Sequence, residues 1–467
     1  MTKPPRKIRL FAHLLNTGNQ MGGWRHPQAS AGRLHDIDYF LGMTRTAEAA
    51  KFDAVFFADG PGFRRVEGRD AFSRMDVGKL EPITMLAALA MGTGRIGLIA
   101  TASTSFNEPY NIARKFASLD HISHGRAGWN AVTSTGENEA HNFNFETLED
   151  HSTRYARAGE FVDVVRALWD SWEDDAFLVD KASGRYFNPD KLHGLGHRGR
   201  FYRVEGPLNI GRAPQGHPVL VQAGGSEEGR DLGARTADAI FTPNPPLDVA
   251  RHFYADMKRR AEAYGRDPDH LLIMPSIQAV IGGTEAEAAE KAAFLDELIA
   301  PDLALSWLQM SLGGVDLSGR DLDGPLPAIP PTKGGHSLRQ GIIDRANRFS
   351  LSIRQIATHV AATRLGERFV GTAEQIAARL QSQFETRAAD GFVISAPWLP
   401  GALEEFIVEV VPILRRRGLF RDEYEGETLR ENLGLPRPSN VFALDPRRHV
   451  EPEIWRKAPP GEVQGTV

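Results

Sequence analysis

Residues 218–241 read PVLVQAGGSEEGRDLGARTADAIF. Val219-Leu220-Val221 is a short apolar run, Gly224-Gly225-Ser226 a turn, Glu227 to Thr236 a stretch of helical composition, and Ala239-Ile240-Phe241 apolar again. The order is strand, glycine turn, helix, strand. Two glycines let the backbone approach a ligand closely. Ser226 stands at an N-cap position, with the free N–H groups of the first helical turn directly behind it. Such a turn is a seat for a phosphate group. An ordinary capped helix after a strand carries the same pattern.

The same grammar recurs on both sides. Apolar strands are expected to start near residues 8, 53, 95, 127, 218, 238, 271 and 390. Between them, helical spacing or capping predicts helices over about 36–50, 81–90, 108–122, 152–172, 248–264, 284–298, 372–387 and 403–417. Eight strand–helix units with nearly continuous apolar strands imply a parallel sheet covered on both faces. Closed on itself, that sheet is an α/β TIM (β/α)8 barrel with insertions. An internal echo supports it: Phe52-Asp53-Ala54, Ala237-Asp238-Ala239 and Ala389-Asp390-Gly391 each place an aspartate between helix exit and strand. The alternative is an open, doubly wound sheet. The whole chain, 1–467, reads as one barrel domain. Its excursions are the Gly-, Arg- and Pro-rich stretch 173–217, a loop-like stretch 300–350, and a tail 419–467 expected to wrap the surface.

Bulk properties narrow the function. The net charge of −5 and the lack of a long basic run argue against nucleic acid or an anionic membrane as partner. No apolar run approaches the roughly 20 residues of a membrane span. With no cysteine, disulfides, a thiol nucleophile and thiolate metal sites are excluded. This composition suits a reducing cytoplasm.

A barrel carries its chemistry at the C-terminal ends of its strands. Those ends hold Asn16, Asp59, Thr101, Ser103, Thr104, Asn130, Thr133, Ser134 and Ser226, a ring of neutral donors and acceptors with one carboxylate. A metal hydrolase would show His-x-His at a strand end and several carboxylates. His121 and His124 fall at the end of a helix, and His193 and His197 have no third ligand in view, so no metal site is expected. A polar, weakly charged mouth with a phosphate seat fits flavin mononucleotide (FMN), although composition does not separate FMN from another phosphorylated ligand.

Longer motifs are more specific. FDAVFFAD (52–59), GLIATASTSFNEPYNIARKFASLDHISHGRAGWNAVTS (97–134), HSTRYARAGEFVDVVRALWDSW (151–172), FVGTAEQIAARL (369–380) and ADGFVISAPWLPGALEEFIVEVVPILRRRGLFRDEYEGETLRENLGL (389–435) span nearly the whole chain. Together they resemble the bacterial-luciferase-like flavin monooxygenases. Within that family they are similar to the group of nitrilotriacetate monooxygenase component A, dibenzothiophene sulfone monooxygenase and long-chain alkane monooxygenase. The resemblance implies a TIM barrel and FMN taken up reduced, as FMNH2, from a separate NAD(P)H:flavin reductase. Reaction with O2 would give a C4a-(hydro)peroxyflavin that passes one oxygen atom to a small organic substrate. By the family pattern Asp59, Thr104, Asn130, His151, Tyr155 and Ser226 match FMN-contacting positions, with Gly225 and Ser226 at the phosphate. Ser103, beside Thr104, joins the expected set. His151 and Tyr155, four residues apart, share one helix face. A homo-oligomer, dimer or tetramer, is expected by analogy.

Two histidines are catalytic candidates. His141 is placed as base or hydrogen-bond donor because its ordinary pKa lies near neutrality; it reads equally as a surface loop residue. His13, late in the first strand, is the weaker candidate. Phe56, Phe57, Phe106 and Trp398 are candidates to wall the pocket, and the Gly/Pro-rich segment 313–336 is the expected lid. Three rival readings stay open: an F420-dependent oxidoreductase on the same barrel, a metal-dependent barrel hydrolase, and a non-catalytic flavin-binding protein.

Overall fold

Eight parallel strands close into a cylinder in the computed structural model, which describes residues 6–63, 68–330, 336–364, 366–452 and 455. They are β1 (Arg9–His13), β2 (Ala54–Phe57), β3 (Gly97–Ser103), β4 (Ala127–Val132), β5 (Val219–Gln222), β6 (Ala239–Thr242), β7 (Leu272–Ile281) and β8 (Gly391–Ile394). Each pairs with its neighbour in chain order. β8 returns to β1 in the register Arg9↔Gly391, so these eight strands present no edge and the open-sheet alternative fails. The eight expected starting points are all occupied.

Helices cover the cylinder: α1 (Ile37–Ala49), α2 (Pro82–Met91), α3 (Pro109–Ile122), α4 (His151–Trp169), α5 (Glu227–Thr236), α6 (Leu247–Ala263) and α7 (Glu285–Glu297). Local sequence sets their starts. Proline occupies the first turn of α2 and α3, and Thr284 accepts a hydrogen bond from Glu287 N at 3.2 Å as the N-cap of α7.

The stretch read as loop departs from expectation. Residues 300–350 contain α8 (Pro301–Ser311) and α9 (His336–Arg348), and α10 (Ile353–Thr363) follows. The buried Leu303, Trp307, Leu308, Ile356, Val360 and Ala361 of α8 and α10 form a separate apolar cluster. This is a helical insertion with its own core. Gly and Pro around it obscured that core at the sequence level. A strand, Glu367–Gly371, then extends the outer half of β7. Next come α11 (Ala373–Glu385), α12 (Gly401–Glu409) and α13 (Val411–Arg416). The excursion 173–217 folds two small antiparallel hairpins, Phe177–Asp180 with Arg185–Phe187 and His197–Arg198 with Arg203–Val204.

The tail does more than wrap the surface. Its helix α14 (Leu429–Leu433) places Leu429, Leu433 and Leu435 in one buried cluster with Phe11, Ala54, Ile99, Val219, Ala239 and Leu272. Those are inward-facing residues at the N-terminal halves of the strands, so α14 plugs the bottom of the barrel. The three echoed aspartates act at the same end. Asp53 accepts from Leu10 N at 2.7 Å, Asp238 from Leu220 N at 2.8 Å and Asp390 from Ile273 N at 3.0 Å. Each therefore ties its own strand to the first amides of the preceding one. The tail supplies countercharges: Arg421 pairs with Asp53 and Arg430 with Asp238.

Alternation along the strands then decides what faces inward at the top. Phe11 and His13, Ala54 and Phe56, and Ile99, Thr101 and Ser103 share one face. Phe57 points the other way, into the layer between barrel and helices 5.9 Å from Phe40, and is not a pocket wall. No described helix is long and apolar enough to cross a membrane.

Candidate active site

The upper barrel interior is polar where the lower part is aliphatic. His13 is buried, with Nδ1 3.1 Å from Ser395 Oγ, which lies 2.8 Å from Ser276 Oγ. Its ring leans on Phe56 at 5.2 Å and Phe241 at 6.1 Å. Its Nε2 is buried and has no partner among the described residues. Burial pushes the His13 pKa down to about 3, and the positive charges of Arg364 and Lys79 push it the same way. The imidazole is neutral at physiological pH.

Asn130 shows the same incompleteness. Its Nδ2 donates to Thr101 Oγ1 at 2.9 Å, while its buried Oδ1 has no partner among the described residues. A buried amide oxygen left bare costs stability, about 1–3 kcal/mol, unless a ligand N–H or a water completes it. Ser103 Oγ lies 2.8 Å from Ser134 Oγ. Thr104 Oγ1 donates to Val132 O at 3.2 Å, and its own N–H donates to the same carbonyl at 2.9 Å. Asp59 forms an ion pair with Lys79 at 2.9 Å. Asn16 and Ser134, just past the ends of β1 and β4, hold left-handed backbone with φ of 48° and 50°. Non-glycine residues there carry strain, and such strain concentrates at functional sites.

A second polar group surrounds the turn after β5. Ser226 is the N-cap of α5, accepting from Gly229 N at 3.1 Å. Gln222 Oε1 accepts from Gly224 N at 2.8 Å and so fixes the turn. A Cβ on Gly224 would sit 2.7 Å from Gly229 Cα and 3.0 Å from Tyr155 Oη, so only glycine lets these segments meet. Gly225 is exposed and Ser226 half-buried at the turn's outer edge. Tyr155 and His151 stand one turn apart at the start of α4 with ring centroids 4.8 Å apart, and His151 Nδ1 lies 3.6 Å from Glu228. Glu227, the other acid of the first turn, is held by Arg230 and by Arg260 at 2.7 Å. The structure thus groups Tyr155, His151 and the Gly225-Ser226 turn at one place, and Asn130, Thr101 and His13 among the interior-facing strand ends. Ser103, Thr104 and Asp59 lie at or just past the ends of β3 and β2.

His141 sits differently. It is exposed at the end of the short helix Glu137–His141, with Nε2 3.1 Å from the Glu146 carbonyl of its own loop. Its contacts do not join it to the His13 cluster. Trp398 stacks on His26 at 3.9 Å and lines a pocket with Ala279, Val280, Phe294 and Leu295, and none of the His13 cluster lines it. Phe106 stacks with Phe143 at 4.9 Å above β3 and β4. Among the described residues no group of three or more His, Cys, Asp or Glu is placed to hold a metal ion.

Residues 14–391 match the model of the luciferase-like monooxygenases. The chain belongs to that family. This luciferase-like monooxygenase is 45% identical over 445 residues to N-acetyl-S-(2-succino)cysteine monooxygenase of Bacillus subtilis (strain 168), covering 95% of this chain and 100% of the relative. It is 46% identical over 435 residues to nitrilotriacetate monooxygenase component A of Aminobacter aminovorans, covering 91% and 96% of the two chains. Among solved structures it is similar to the EDTA monooxygenase of Chelativorans sp. BNC1, with 36% identity, a TM-score of 0.79, and coverage of 92% of this chain and 99% of that one. The family resemblance read from the motifs therefore holds, and the enzyme is an oxidoreductase of the monooxygenase type.

Sequence reasoning missed several residues of this luciferase-like monooxygenase that the fold brings to the mouth. Ser395 and Ser276 face inward beside His13. Arg364, which caps the C-terminus of α10, and Asp76, in the loop before α2, carry no recognisable motif, and only the fold brings them together.

Proposed function

We propose that this chain is the oxygenase component of a two-component monooxygenase that takes up reduced FMN and uses O2 to oxygenate a small organic substrate. The observation that carries the reading is the pair of polar clusters at one end of the barrel. One is a glycine–serine turn opening a helix; the other includes the bare Asn130 Oδ1. These residues fit a flavin nucleotide: a phosphate needs N–H donors at a helix start, and a flavin ring edge offers an N–H that completes a buried amide oxygen.

The turn at Gly225-Ser226 binds the phosphate through backbone N–H groups, assisted by the helix dipole. Tyr155 and His151 flank that end. Ser103, Thr104 and Asp59 line the path inward, and Asn130 accepts from the ring edge. Reduced flavin, when bound, would supply the two electrons that activate O2, one atom of which goes to the substrate while the other leaves as water. Phe56, Phe241 and Phe106 keep water from that region. His13, neutral and with Nε2 bare, is better placed than His141 to hydrogen-bond or hold a proton at the reacting centre, because Ser395 fixes its other nitrogen.

A flavin reductase is the expected partner; the Aminobacter relative's name, component A, supports a divided system. We read 1–467 as one barrel unit with insertions, acting in the cytoplasm as a homo-oligomer. The helical insertion around α8–α10 is the candidate cover of the mouth: Ile353 N and Arg354 N donate to the carbonyls of Gly324 and Leu322 at 2.9 and 2.8 Å. Residues 331–335 of the expected lid lie outside the described residues. Relatives named for nitrilotriacetate and N-acetyl-S-(2-succino)cysteine point to acidic substrates. Formation of oxygenated substrate that requires this chain, FMN and a reductase together tests the proposal; product formation unaffected by omitting FMN would refute it.

A further inference from the structure

Arg364 ends α10 with φ of 43° and ψ of 39°, left-handed backbone that a glycine would hold without strain. Its side chain is mostly buried, with 14% exposure. A guanidinium has five N–H donors. Among the described residues Arg364 uses one of them, Nη2 to Asp76 Oδ1 at a long 3.5 Å, and its buried Nε has no partner. One face lies over the Trp307 ring at 5.9 Å. Asp76 compensates poorly, because its other oxygen is committed to Thr17 Oγ1 at 2.6 Å and Thr17 N at 3.2 Å. A buried, under-bonded cation is costly unless an anion completes it.

Its position matters as much as its valence. Thr17 follows the top of β1, where His13 sits, and Asn16 Nδ2 donates to Asp76 O at 2.8 Å. The helical insertion therefore delivers Arg364, through Asp76 and Thr17, to the loop that follows β1, and its positive charge bears on the His13 imidazole. Three polar groups of incomplete valence thus serve the same end of the barrel: Arg364, His13 and Asn130.

We propose that Arg364 is the substrate-binding cation and that the substrate carries a carboxylate, which docks on the unused N–H edge of its guanidinium beside His13. A planar carboxylate matches the fork of an arginine. Trp307 packs against the guanidinium face, and Asp76 with Thr17 fixes one nitrogen while leaving the others for substrate. This deepens the monooxygenase reading and rests on the barrel mouth being the reaction site.

The test measures calorimetric binding to the purified full chain with FMN present. The probes are nitrilotriacetate, N-acetyl-S-(2-succino)cysteine and their methyl esters, and FMN binding is read separately by fluorescence quenching. In the unaltered chain at least one acid binds, and its ester binds about tenfold more weakly or worse, the loss of a charge-assisted hydrogen bond. Arg364→Met weakens the acid by a similar factor with FMN affinity unchanged, and Arg364→Lys falls between. Failure of both acids to bind, an ester that binds as well as its acid, or an Arg364→Met variant with full acid affinity would overturn the proposal. The acid–ester comparison uses the unaltered chain and so survives a variant that does not fold. Absent FMN binding would refute the flavin assignment alone, since the acid and ester can still be compared.

Discussion

Replacing Arg421 by methionine removes the cation that the tail inserts beneath the barrel. Arg421 is 1% exposed, and its guanidinium donates to Asp53 and to the Asn432 carbonyl. Asp53 is fully buried, and burial raises its pKa while Arg421 and Arg9 oppose that rise. After the substitution Asp53 retains Leu10 N at 2.7 Å and Arg9 Nη1 at 3.8 Å. Breaking one side of a buried ion pair costs about 3–5 kcal/mol, because the remaining charge is left poorly compensated. Arg421→Met is therefore expected to lower the free energy of unfolding by that amount in urea titration. Asp53→Asn combined with Arg421→Met should recover a substantial part, since the orphaned charge is gone. A single-variant loss below about 1 kcal/mol, the range of an exposed surface pair, would refute the claim that the tail closes the barrel bottom through this contact.

Three further outcomes are expected. Ser226→Asp places negative charge on the proposed phosphate seat and should weaken FMN binding at least about tenfold, a 1.4 kcal/mol effect, by fluorescence titration; unchanged affinity would move the phosphate elsewhere. Asn130→Leu removes the bare acceptor and should also weaken FMN while leaving the fold intact by circular dichroism. His13 gives a pH signature. Its folded pKa of about 3 lies below the unfolded value of 6.5, so its contribution to stability is present above pH 6.5 and is lost as pH falls towards 3. The slope is up to about 1.4 kcal/mol per pH unit between those limits, and His13→Gln should flatten it in urea titrations at pH 7, 6 and 5.

The barrel itself was legible because its signals are local. Each strand is a short apolar run, and each echoed aspartate sits at a helix exit. The Gly224-Gly225-Ser226 turn was readable for the same reason: capping and glycine chemistry act within a few residues. The insertion was not readable, because α8 and α10 bury their apolar faces on each other across a stretch rich in Gly and Pro. The plug was hidden too. Leu429, Leu433 and Leu435 form too short a run to signal a core, and only closure of the cylinder gives them a surface to fill. Arg364 was invisible for a related reason, since only the left-handed turn that ends α10 brings it to Asp76. His141 shows the opposite limit: a histidine with suitable chemistry in the right part of the chain turns out to be exposed and bonded to its own loop.

The most direct measurement is a crystal structure of the full chain with FMN bound. The account predicts the phosphate on the N–H groups at Gly225-Ser226, near Tyr155 and His151, with the flavin ring reaching Asn130 above the Phe56–Phe241 pair. A phosphate bound away from that turn, or a ring lying outside the C-terminal mouth of the barrel, would contradict it.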